Sequence, residues 1–281
     1  MRAERLTDRI AHHGEGPVWL PDHGGLTWVD MLDGDVLTLR GDGGVERRHV
    51  DAIAACVRPR TNGGLVYGIE RGFALEDPDG ALRRIELWQD PAVRMNEGAV
   101  DPDGNFLCGS MPYDRTPGAA SLYRLTPDGA VTTVLPEVTI SNGLDYSPDG
   151  RLAYYNDTHE QRIDLFDHDP QQGLVNRRTL VDTGPDGRPD GLTVDAEGNI
   201  WTAMHHGAAV HCYDPDGVLQ QVVELPTPLV TACTFGGDDL GTLYITTSRE
   251  GMAEDDADQL AGSVFTVQPG VTGLPVREFA G

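Results

Sequence analysis

Short apolar runs alternate along the chain with acidic, glycine-bearing turns, and one compound unit of this kind recurs six times. Its copies read VWLPDHGGLTWVD, CVRPRTNGGLVYGIE, GAVDPDGNFLCGSM, LDYSPDGRLAYYND, LTVDAEGNIWTAMH and TFGGDDLGTLYITT. Each joins a short apolar run to a second run rich in β-branched and aromatic residues, the pattern of a hairpin. The last glycines of the turns (Gly25, Gly64, Gly104, Gly150, Gly198 and Gly241) are 39, 40, 46, 48 and 43 residues apart, the length of one four-stranded blade. A second hairpin follows every unit, from DVLTLRGDGGVERRHV after the first to SVFTVQPGVTGLPVREFA after the last. Pro presets φ at the second turn position and Gly accepts the positive φ that follows. Sustained helical spacing is almost absent. The pattern therefore predicts an all-β fold, a six-bladed β-propeller of four-stranded antiparallel blades around a central channel, with residues 1–281 as one domain. A sandwich would not need six copies of a double hairpin, and a β-helix would use shorter periods. The segment ERLTD near the N-terminus is a candidate to pair at the edge of the last blade and close the ring.

Composition narrows the functional classes. A formal net charge of −24 argues against a nucleic-acid partner, while such a field attracts divalent cations. The chain has no lysine, which excludes Schiff-base chemistry, a P-loop and a Ser-Lys dyad together. Cys56, Cys108, Cys212 and Cys233 lie far apart in apolar runs and read as core thiols rather than a zinc knuckle or disulfide framework. With no membrane-length apolar run and no basic-apolar leader, the expectation is a cytoplasmic protein, monomeric or a weak homodimer, with no membrane partner.

In a propeller the innermost strand of each blade lines the channel, so the residue just ahead of it is expected at one channel mouth. In blades three, four and five this residue is Asn96, Asn142 and Asp190, each eight positions before its marker glycine; in blade one it is Glu15, ten before Gly25. Blade two offers Ala54 and Ala55 there, and blade six Thr231 and Ala232. Asn-Gly and Asp-Gly are ordinary turn dipeptides. Chance turns would not fall in register, nor include Glu15. Two carboxylates and two carboxamides suit one hard divalent ion; Ca²⁺, Mg²⁺, Mn²⁺, Zn²⁺ and Fe²⁺ are not distinguished. The second strand returns to the same mouth, with Asp30, Glu70, Met111, Asp157, His205, His206 and Ser248 as an outer ring, and Asp30 and Asp157 as candidates to orient ligands. Arg94 lies on the approach, and the loop at 111–119 is the candidate lid, with Tyr113, Asp114 and Arg115 toward a ligand. Neither G-x-S-x-G nor H-E-x-x-H occurs, which leaves metal-assisted attack by water.

At these residues the sequence resembles the senescence-marker protein/gluconolactonase/regucalcin-like (LRE-like) family of six-bladed propellers. The resemblance runs from GEGPVW at 14–19 to the closing EFAG, through RMNEGAVDPDG at 94–104, SNGLDYSPDG at 141–150, PDGLTVDAEG at 189–198 and FGGDDLGTLYIT at 235–246. It implies that Glu15, Asn142 and Asp190 ligate one divalent metal, that Asp190 is also the general base, and that Arg94 and Asn96 hold a sugar lactone which is opened to its aldonic acid. Ser110 stands where many members have Thr, and the lid carries no recognisable substrate pattern. The competing expectations are a phosphotriesterase-like or non-sugar lactone hydrolase, and a non-catalytic calcium-binding propeller.

Overall fold

The computed structural model describes residues 1–185, 187–253 and 258–281. Six four-stranded antiparallel sheets form a ring, and each innermost strand packs against the innermost strands of its two neighbours. These inner strands are Gly14–Leu20, Ala54–Pro59, Val93–Val100, Ser141–Tyr146, Arg188–Val194 and Val230–Gly236. They are buried almost throughout, and the outermost strands, such as Val45–His49 and Leu82–Glu86, carry the charge. Large side chains wedge between blades: Tyr67, Phe73 and Phe106 join one cluster, Trp201, Phe235 and Phe265 another. The six-bladed propeller expected from the repeat is the fold observed. The turns follow the expected chemistry in blades three to five, where Gly104, Gly150 and Gly198 have positive φ. In blade six the positive φ falls on Leu240 instead of Gly241.

Closure settles one open point and corrects another. Glu4–Arg5 pairs with Phe265–Val267, so the N-terminus supplies the outermost strand of the last blade. The second half of the last expected hairpin, GLPVREFA, is consequently not a strand of that blade, because the edge it would join is already taken. It crosses the channel end opposite the candidate site: Leu274–Glu278 line a cavity of about 750 Å³ there, and Phe279 is buried in the core. That cavity reaches Pro17, Glu97 and Gly191 from below but none of Glu15, Asn96, Asn142 or Asp190.

Candidate metal and substrate site at the channel mouth

The expected site residues lie within the inner strands rather than just ahead of them. Every inner strand slips register with its neighbour at one level: between Glu15 and Val18, Ala54 and Cys56, Met95 and Glu97, Ser141 and Leu144, Pro189 and Leu192, and Val230 and Ala232. A bulge leaves a residue without a ladder partner and re-aims its side chain. Asn96, Asn142 and Asp190 are residues freed in this way, and Glu15 stands at the edge of its bulge. Ala55 and Thr231 fill the equivalent slots in blades two and six. The glycines after Asn142 and Asp190 are not turn glycines. A Cβ on Gly143 would meet the Asp190 carbonyl oxygen at 2.6 Å, and one on Gly191 would meet the Ala232 Cβ at 2.4 Å. They let neighbouring inner strands close around the channel.

A buried hydrogen-bond chain runs along this ring. Arg94 Nη1 donates to Asn96 Oδ1 (2.7 Å), and Asn96 Nδ2 donates to Asn142 Oδ1 (3.1 Å) and to the Ser141 carbonyl (2.7 Å). Asn142 Nδ2 donates to Thr158 Oγ1 (2.7 Å), whose hydroxyl donates to the Pro189 carbonyl (2.8 Å). Asn156 Nδ2 holds the Asp190 carbonyl at 2.6 Å. The chain thus ties Arg94, Asn96, Asn142 and Thr158 to the backbone of blade five. Asp190 Oδ1 is buried without a partner, and Glu15 Oε2 accepts only the Gly16 N–H. Asp30 and Asp157 hold the strand entries: Asp30 accepts the N–H groups of His12 and His13, and Asp157 those of Thr139 and Ile140.

Burial pushes Glu15 well above the usual carboxylate range, and the nearby charges of Asp190 and Glu97 add to it. Asp190 is raised in the same direction by burial, with Glu97 and Glu250 contributing. Two buried carboxylates, one with an unpartnered oxygen, and the Asn142 carboxamide oxygen form an all-oxygen set, and they fit a hard divalent cation. Among the described residues another acidic cluster, Asp101, Asp103 and His168, lies on the outer turns. Asp101 there caps its own turn, accepting from Asp103 N, Asn105 N and Asn105 Nδ2.

Around the mouth, the Arg94 guanidinium is buried, bonded to Met31 Sδ and the Met95 carbonyl, and lies 5.9 Å from the Tyr113 ring centroid. Tyr113 donates its hydroxyl to Glu70 Oε1 at 2.8 Å. Asp114 lies fully exposed and accepts the Thr116 N–H within its own loop. His13, buried, has Nδ1 2.7 Å from Ser248 Oγ and Nε2 4.0 Å from Glu15 Oε1; burial first, then Arg94, keeps it neutral. His205 is pushed down to about 4 by burial and by His206, Arg115 and Arg188. Sequence reasoning missed His13, Asn156 and Thr158. Thr158 directly follows the flagged Asp157 and was within reach of the repeat register, whereas nothing in the sequence separates His13 from His12.

Comparison with known proteins agrees with this architecture. The SMP-30/Gluconolactonase/LRE-like region matches residues 13–249. The chain is 38% identical to regucalcin of Danio rerio, over 95% of each chain, and 34% identical to a pentonolactonase of Haloferax volcanii, over 98% of this chain and 97% of that one. Among solved structures, a calcium-binding regucalcin from Agrobacterium tumefaciens superposes with a TM-score of 0.92 at 29% identity, covering 99% of this chain and 97% of its own. With the fold and the match along nearly the whole length in agreement, the chain belongs to the SMP-30/gluconolactonase/LRE-like family.

Proposed function

We propose that the protein hydrolyses a sugar lactone to the open-chain aldonic acid at the channel mouth, with a divalent ion held by Glu15, Asn142 and Asp190. What supports this is that Glu15, Asn142 and Asp190, all buried, stand at the register slips of three inner strands, with Asp190 Oδ1 unpartnered, at the level of the Arg94–Asn96 pair. The naming of relatives as pentonolactonase and sugar lactone lactonase supports the substrate class. When bound, the ion supplies Lewis-acid polarisation of the ester carbonyl and acidifies water.

The chain's own residues do the rest. Asp190 Oδ1 accepts a proton from the attacking water as its oxygen bonds to the lactone carbonyl carbon. The ring C–O bond then breaks, and the proton passes to the departing ring oxygen, which becomes a hydroxyl. Arg94 and Asn96 orient the ring from one side, and the Tyr113 ring covers it. Asp114 reaches a ligand only by giving up the Thr116 N–H.

The test is the rate of opening of aldonolactones, aliphatic lactones and organophosphates, with and without chelator and across a metal series. Turnover of aldonolactones that chelation abolishes is the expected result. Equal or faster turnover of organophosphates or aliphatic lactones would displace the sugar, and tight Ca²⁺ binding without hydrolysis of anything would favour a binding protein.

A further inference from the structure

Arginine supplies every side-chain positive charge of fixed protonation in this strongly acidic chain, and most arginines are spent on carboxylates. Arg47 joins Asp30 and Asp35, Arg162 and Arg177 share Asp164, and Arg277 holds Asp145. Arg115 and Arg188 are different. Both are exposed, and among the described residues neither has a carboxylate within 4.0 Å. Both stand on the rim of the candidate site. Arg188 opens the inner strand of blade five, two residues before Asp190, and is paired in the ladder with His205. Arg115 sits in the lid after Tyr113, held at a φ of 58° in the left-handed region that disfavours a long side chain. It is close enough to His13, Arg94 and His205 to oppose a positive charge on each, and Arg188 does the same to His205.

Among the described residues, most acids of the rim are already engaged. Glu15 and Asp190 belong to the cation set. Glu70 accepts the Tyr113 hydroxyl and lies 3.5 Å from Arg71, and Asp114 is turned into its own loop, while Glu250, 3.8 Å from His13 Nδ1, has no arginine within 4.0 Å among the described residues. Two guanidinium groups therefore flank the mouth with no carboxylate partner among the described residues. A guanidinium presents a planar fork that matches phosphate, sulfonate or carboxylate oxygens. At physiological ionic strength charges are screened beyond about 8 Å, so this local pair outweighs the acidic surface for a group seated between them.

Resting on the lactonase reading, we infer that the preferred lactone carries a second, anionic group remote from its ring carbonyl, and that Arg115 and Arg188 hold that group. A neutral aldonolactone satisfies Arg94 and Asn96 but leaves both rim arginines to water. The anionic substrate engages them as well.

The test compares D-glucono-1,5-lactone with 6-phospho-D-glucono-1,5-lactone and a glucarolactone, on the metal-loaded full chain and on Arg115→Gln, Arg188→Gln and the distant control Arg151→Gln. Expected is a higher kcat/KM for at least one anionic lactone. Each rim substitution lowers that value by about tenfold or more, the size of a lost charge-assisted hydrogen bond, and leaves the neutral lactone and the control unchanged. Rising salt lowers kcat/KM for the anionic lactone alone. A preference for the neutral lactone, or an equal effect of the rim substitutions on both classes, overturns the proposal. If no lactone is opened, the lactonase reading fails by itself, and calorimetry still decides the anion site. Binding of 6-phosphogluconate over gluconate, weakened by both rim substitutions, supports it; equal binding of the two overturns it.

Discussion

At the scale of single residues, the site is a set of side chains whose roles separate experimentally. Asp190→Asn keeps the volume and removes the charge and the base, and it is expected to lower kcat by about 10²–10⁴-fold. Following lactone opening with a pH indicator checks this, and full activity would remove Asp190 from the mechanism. Thr158 touches no substrate in this scheme, yet its hydroxyl both receives Asn142 Nδ2 and holds the Pro189 carbonyl. Thr158→Val leaves two buried groups unpaired, a cost of about 1–3 kcal/mol each. It also frees the Asn142 carboxamide to turn, so metal affinity measured by chelator competition is expected to fall about 10–100-fold, as for other supports of a ligand. Thr158→Ser restores the hydroxyl and should restore the affinity. An unchanged affinity in the valine variant would mean that Asn142 is held by other contacts.

At the scale of strands and turns, the sequence told position better than shape. Counting back from the turn glycines found Glu15, Asn96, Asn142 and Asp190, because the repeat fixes the distance from turn to channel. It did not show that Asn96, Asn142 and Asp190 sit in bulges and Glu15 at the edge of one. One extra residue beside a glycine leaves the alternation of an apolar run readable on either side, so the slip in register is silent. Gly143 and Gly191 carried the trace of it, but a dipeptide such as Asp-Gly signals a turn more often than a close approach of two strands. Gly191→Ala separates the two meanings. A turn glycine without positive φ tolerates alanine, whereas here the new Cβ must displace Ala232. The strain is expected to cost about 1–3 kcal/mol, visible as a lower Tm, and a neutral result would contradict the packing. The last hairpin was misread for a different reason. PVREFA alternates like a strand, and only the competition from the N-terminal segment for the same edge decides against it.

The outer strands carry their own pH signature. Asp35 is partly buried, which acts to raise it, but the hydrogen bonds from Arg47 and His49 outweigh this and hold it below the usual carboxylate range. A depressed folded value means that the stabilisation is present above the unfolded pKa of about 3.9 and is lost as pH falls through the lower folded value. Arg47→Gln removes it, so acid unfolding followed by near-UV circular dichroism should begin at a higher pH. The Arg47 side chain is 38% exposed, and this solvent screening limits the Asp35 share of the effect to about 1 kcal/mol at neutral pH.

At the scale of the whole molecule, a ring of sheets is only as strong as its seam. The seam here lies between the last blade and the first residues of the chain. Glu4 and Arg5 pair with Thr266 and Phe265, Ala3 N donates to the Glu224 carbonyl, and Leu6 N to that of Val264. Ala3 is also buried against the apolar cluster of blades five and six. The segment thus covers the edge of Phe265–Val267 and staples two blades, while Phe279 and the Ala280 N–H to Gly104 bond tie the other terminus beneath blades two and three. Removing residues 1–6 strips these bonds and exposes a strand edge, the usual route to association between chains. Each 1 kcal/mol lost in a chain of this length lowers Tm by about 2–4 °C, so several lost bonds should lower it by roughly 5–15 °C. Concentration-dependent association in sedimentation should accompany the fall. The proposed metal ligands on blades one, four and five lie away from this segment, so the truncated chain should still bind a divalent ion at low temperature and gain Tm from it by mass action. Loss of ion binding at low temperature would show that the seam and the channel mouth fold as one cooperative unit; an unchanged Tm would show that the ring holds without its N-terminal strand.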